Sequence, residues 1–155
     1  MKTGKIHRET LSKERPDFLK QVIGVLVPFV MVYGIYILFN GTVSPGGGFS
    51  GGAILGVSLV LTSVGFGPKK VRKFFPYKTI AKFRVVAFVT FILLLLFGFF
   101  MYNQGLGEEL MRIFPTGTPG NIFSGGMILP LNLSIGIVKV CTIYSLYALF
   151  AEGEL

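Results

Sequence analysis

The sequence predicts an all-α integral membrane protein with four transmembrane helices, arranged as two hairpins that repeat in the same sense. Three observations carry this. The chain is 52% hydrophobic and only 14% charged, against about 25% charged residues in soluble domains. Its apolar residues come in runs long enough to cross a bilayer rather than at amphipathic spacing. A glycine-rich segment occurs twice, each time where a polar connection enters an apolar run. At 155 residues there is room for one membrane domain. In a soluble chain the net charge of +8 would suggest nucleic acid, but these charges sit in the connections, where membrane orientation accounts for them.

Residues 1–20 form a basic arm, with Lys2, Lys5, Arg8, Lys13, Arg15 and Lys20 against Glu9, Glu14 and Asp17. It reads as a surface segment. The pair Pro16-Asp17 reads as a helix start, since proline at the first helical position loses nothing and an acid there meets the helix dipole. The single histidine, His7, reads as a solvated side chain. The first span is placed at 21–39, about 28 Å of helix, with a kink expected at Pro28, whose ring crowds the Gly24 carbonyl.

Between this span and the next lies Ser44-Pro45-Gly46-Gly47-Gly48-Phe49-Ser50-Gly51-Gly52-Ala53-Ile54-Leu55-Gly56. Pro45 punctuates the backbone, and the three glycines after it, Gly46, Gly47 and Gly48, open conformations closed to other residues. Gly48, Gly52 and Gly56 recur every fourth residue, a smooth stripe that lets a second helix approach closely in lipid. The second span is placed at 49–66. At an offset of 74 residues stands a partial copy, Thr118-Pro119-Gly120-Asn121-Ile122-Phe123-Ser124-Gly125-Gly126-Met127-Ile128-Leu129-Pro130. The copy replaces Gly47, Gly48 and Gly56 by Asn121, Ile122 and Pro130.

The loop after the second span carries seven bases and no acid: Lys69, Lys70, Arg72, Lys73, Lys78, Lys82 and Arg84. The third span, placed at 85–102, is bulky nearly all round, which suits a helix that mostly faces lipid. The polar connection 103–119 holds Glu108, Glu109 and Arg112, and the fourth span is placed at 131–150, followed by a short tail at 151–155. Lys and Arg gather in the arm and in the loop between spans two and three, while the opposite connections hold only Arg112. That bias puts both termini on the cytoplasmic side of the cell membrane. No cleavable leader is expected, because the first apolar run follows about twenty polar residues with no small-residue cleavage pattern after it.

One charge falls inside these spans: Lys139, near the middle of the fourth. At that depth a lysine costs about 2.5–3.5 kcal/mol on insertion scales. Helical spacing puts Asn132, Gly136, Lys139 and Ile143 on one face and Ser134, Cys141, Ser145 and Ala148 on another. None of the spans holds an acid, so Lys139 is either held neutral or met by a carboxylate from another chain. The small-residue face is expected to pack within the subunit and the lysine face to look outward, either onto an ion or proton path or into a static inter-subunit ion pair. No metal-ligand cluster, nucleotide fingerprint or nucleophile motif accompanies it. Neither cofactor nor metal is expected, and Cys141 reads as a small packing residue.

The stretch Pro45-Gly46-Gly47-Gly48-Phe49-Ser50-Gly51-Gly52 between two spans resembles the signature of the MrpB (MnhB) family, small subunits of multisubunit sodium/proton antiporters. Span number, basic loop and length fit over residues 21–150. The resemblance implies a non-catalytic membrane subunit that works among the other subunits of an Mrp-type antiporter module and contributes to sodium/proton translocation. Related subunits serve archaeal hydrogenase and sulfur-reducing complexes, so the alternative it implies is a scaffold subunit beside a hydrogenase-like redox arm that carries no ion itself.

Overall fold

The computed structural model describes residues 3–41, 46–114, 117 and 125–152. Six helices account for the described elements: α1 (Thr3–Phe39), α2 (Gly47–Phe66), α3 (Pro68–Phe74), α4 (Tyr77–Asn103), α5 (Gly107–Ile113) and α6 (Ile128–Glu152). Four contain stretches long and apolar enough to span a membrane: Phe18–Phe39, Gly47–Phe66, Tyr77–Asn103 and Ile128–Ala151.

Two of these stretches differ from the sequence expectation in a physically informative way. The helix of the first span does not begin at Pro16; α1 is helical from Thr3 and continues through Pro28. Lys, Glu, Arg and Leu, all good helix formers, dominate the arm. The third span starts at Tyr77 rather than residue 85 and takes in Lys78, Lys82 and Arg84. Long basic side chains can lie along apolar surface with their charges at the interface, so they extend a span instead of ending it.

The spans neighbour one another in the order α1, α2, α6, α4. Contacts fix their directions. Along α2, Gly47 lies against Gly41, Gly51 against Gly34 and Leu38, and Gly65 against Ile23, so α1 and α2 are antiparallel. Gly48, Gly52 and Gly56 meet Asn132, Gly136 and Ile143 in ascending order, so α2 and α6 are parallel. The Tyr77 hydroxyl donates to the Ser145 carbonyl at 3.4 Å, and Gly98 lies against Met127, so α4 and α6 are antiparallel. One end of the bundle gathers the glycine-rich start of α2 and the start of α6. The other, basic end gathers α3 and the start of α4.

The glycine copies do not adopt the same conformation. Gly51, Gly52 and Ala53 are helical in α2, whereas Gly125, Gly126 and Met127 form a turn, with Gly126 at φ 51°, and α6 starts only at Ile128. Pro130 explains the delay. In the first turn of α6 it gives up an N–H that has no helical partner anyway, while a helix begun seven residues earlier would bury that loss in its interior. Contacts between α2 and α6 also pair residues 84 apart, as in Gly48 with Asn132 and Gly52 with Gly136. That is ten beyond the repeat offset, a shift of about 15 Å along the axis. The sequence repeat is therefore not expressed as a simple two-fold contact between the two helices.

At the basic end the loop of seven bases is not irregular. Pro68 sits in the first turn of α3 and leaves Arg72 and Lys73 in its last turn, where cations meet the negative end of the helix dipole. Val71 pins this short helix to Ile80, Cys141 and Tyr144, all buried. On α4 little else is covered: Ile80 and Ala87 are its buried residues, and Leu93, Leu96, Phe99 and Phe100 are exposed. That surface suits the lipid-facing role read from its bulk.

Candidate functional site

The α2–α6 seam is built by removing side chains. A Cβ on Gly52 would stand 2.6 Å from the Gly136 carbonyl oxygen and 2.8 Å from its Cα; one on Gly56 would stand 2.9 Å from Ile143 Cβ; one on Gly48 would collide with the Asn132 carbonyl oxygen. On the opposite side of α2, a Cβ on Gly51 would meet the Leu38 nitrogen at 2.8 Å and the Gly34 oxygen at 2.9 Å. Since α2 is in near-backbone contact with a helix on each side, its glycines at 48, 51, 52 and 56 are all buried.

This arrangement corrects the expectation for α6. The face bearing Asn132, Gly136 and Ile143 does not look outward; it is the face seated on the glycine stripe. The small-residue face is also covered, with Ser134, Cys141, Ser145 and Ala148 all buried and Cys141 set among Val71, Ile80 and Tyr144. The sequence showed both faces as contact surfaces. It did not show that the stripe one helix hairpin away was complementary to the lysine-bearing one.

Asn132 sits where α1 ends and α2 begins. A Cβ on Gly41 or on Gly47 would run into its amide, which therefore fills the gap between those two glycines. Its Nδ2 is buried and donates to no described group. Lys139 lies two turns further along α6 and is half-buried. Side chains on a helix lean toward its N-terminus, so the lysine stem reaches back toward the glycine-rich end. Its Nζ lies 3.9 Å from the centroid of the Phe49 ring, a contact worth about 0.5–2 kcal/mol depending on desolvation. Asn132 and Lys139 thus converge on the first turn of α2, the amide against Gly47 and the ammonium over Phe49. Phe49 itself is exposed, so this lysine–ring pair lies at the edge of the seam, open to a neighbour.

Phe49 was legible only as part of a glycine-rich motif. Its use as the platform for Lys139 depends on the stagger of α6 against α2, which spacing within one helix cannot reveal. Gly46 takes φ 107° at the head of α2, a conformation glycine alone adopts readily. Pro45, Pro119, Gly120 and Phe123 lie outside the described residues, and Gly125 and Gly126 form the turn ahead of α6.

Residues 18–145 match the family described as "Domain related to MnhB subunit of Na+/H+ antiporter". The chain belongs to the MnhB family. The match spans all four membrane stretches apart from the last residues of α6 and leaves out the basic arm. Among individual relatives, the chain is 30% identical over 112 residues to "Uncharacterized protein MJ1307" of Methanocaldococcus jannaschii, covering 70% of this chain and 42% of the relative. It is 36% identical over 64 residues to "Putative antiporter subunit mnhB2" of Staphylococcus epidermidis, covering 41% of this chain and 45% of the relative. The MnhB chain described here therefore spans less than half the length of these relatives. No solved structure matches it.

Proposed function

We propose that this chain is a membrane subunit of a multisubunit cation/proton antiporter module, and that it contributes to sodium/proton translocation and to assembly of the module. The MnhB match across the four spans carries the reading. The structure supports dependence on partners in two ways. Lys139 finds an aromatic ring and no acid among the described residues, and the ring that carries it is exposed to a neighbour. No catalytic step is assigned to it.

Within that reading, Lys139 meets a carboxylate of a neighbouring subunit. Three features at the first turn of α2 favour an anionic group over a bare cation. They are the Lys139 ammonium, the buried Asn132 Nδ2, which has no partner among the described residues, and the positive end of a 20-residue helix. A sodium ion would instead need oxygen ligands clear of that positive cluster. A pure scaffold that packs neighbours through its glycine stripe is less well supported, because the stripe is consumed inside the subunit.

The test is reconstitution. Membranes carrying the intact module should exchange sodium for protons, and the subunit should co-purify with the other antiporter subunits in mild detergent. Co-purification with metal-cluster redox subunits and no antiport activity would replace this reading with the redox scaffold.

Orientation is tested separately. The positive-inside bias predicts that the basic end is cytoplasmic. In a Cys141→Ser background, Lys73→Cys and Glu108→Cys should react with a membrane-impermeant thiol reagent from opposite sides, Lys73→Cys from the cytoplasm. Both positions are exposed, so labelling from one side only would reject the topology.

A further inference from the structure

A cavity of about 200 Å³ opens at the basic end, between α2, α4 and α6. Leu59, Phe75, Ile80, Phe83, Ile137 and Val140 line most of it. It presents no polar surface, so water inside would have nothing to bond. Apolar cavities of roughly 150 Å³ stay dry and take up benzene-sized apolar guests. Phe75 and Phe83 are themselves exposed at its margin, so the cavity is reached from the side of the bundle rather than sealed in its core.

Charge surrounds this apolar slot on one side of the interface. On α4, Lys82 and Arg84 flank Phe83 in sequence and fall on either side of the lining arc, at 100° per residue. α3, pinned beside the cavity by buried Val71, adds Lys73, which is exposed. No acid occurs in the sequence between Gly67 and Gly107. An apolar slot with cations along its α3–α4 side is complementary to a molecule with an apolar tail and an anionic head.

We propose that this cavity is a binding site for an anionic phospholipid, one acyl chain entering between Phe75 and Phe83 and the phosphate lying against Lys82 and Arg84. Basic pockets between membrane helices on the cytoplasmic side take lipid head groups in this way. The lipid would fill the wedge between α4 and the α2–α6 seam and brace α4, which is otherwise held along one narrow face.

The chain contains no tryptophan, so one introduced residue is a clean reporter. The full chain with Phe83→Trp is reconstituted in phosphatidylcholine vesicles, and its fluorescence is titrated with brominated phosphatidylglycerol or brominated phosphatidylcholine. Phe75→Trp provides a second reporter should the first disturb folding. The expected result is quenching by the brominated anionic lipid at a several-fold lower mole fraction than by the zwitterionic one. That preference should be lost in the added Lys82→Gln/Arg84→Gln background and absent for Phe99→Trp, at the far end of α4. Equal quenching by both lipids, a preference that survives loss of both charges, or no quenching at either reporter would overturn the proposal. The last outcome would mean that protein covers the slot.

Discussion

Replacing Gly52 by leucine should prevent this subunit from holding its native fold. The obstacle is backbone. Even the first added carbon would stand 2.6 Å from the Gly136 carbonyl oxygen and 2.8 Å from the Gly136 Cα, and neither atom can move without shifting α6. Overpacking a well-filled interior costs about 1–3 kcal/mol when side chains can adjust; here they cannot, so a loss of roughly 3 kcal/mol or more is expected, a large part of a typical domain's stability. Gly56→Ala should cost less, because it adds a single carbon that meets one β-carbon, Ile143 Cβ at 2.9 Å, rather than a backbone carbonyl. Gly107→Ala should be close to neutral, since nothing lies within 4 Å of its added carbon. Denaturation of the purified chain in detergent, scored by helix content and monodispersity, ranks the three. A Gly52→Leu protein that unfolds like the parent would mean that α2 and α6 do not meet through the stripe.

That ranking also marks what the sequence could and could not disclose. Hydropathy located the four spans because a bilayer core demands uninterrupted apolar length, and that demand is local. The stripe at Gly48, Gly52 and Gly56 announced a close contact for a similar reason: its period is a property of one helix. Its partner was not announced. Choosing α6 requires the stagger that sets Gly52 opposite Gly136, and stagger is decided by both helices together. The start of α4 was missed because a charge count rejects Lys78, Lys82 and Arg84, whereas a helix tolerates them when their charges can reach the interface. What the repeat did not disclose is that its two copies start their helices differently, with α6 beginning two turns later than α2 relative to the copied segment, where Pro130 stands for Gly56.

Lys139→Met should cut sodium/proton exchange by the assembled module at least about tenfold, a loss of about 1.4 kcal/mol or more in coupling. The argument begins with cost. A mid-span ammonium is expensive, and among the described residues it recovers the Phe49 ring at 3.9 Å, a contact of about 0.5–2 kcal/mol. Methionine keeps most of the unbranched stem along α6 but removes the charge, so a loss of exchange with methionine that arginine does not share reports on charge. Lys139→Arg retains the charge and should keep most of the activity. Phe49→Ala leaves the ammonium in place without its platform and should produce an intermediate loss. The manner of failure separates the remaining alternatives. If Lys139→Met leaves the module intact but uncoupled, the lysine and its partner carboxylate lie on the translocation route. If the subunit instead drops out during purification, the pair is an assembly contact. An intact, fully active Lys139→Met module would remove Lys139 from both roles, leaving the ring contact as its entire function.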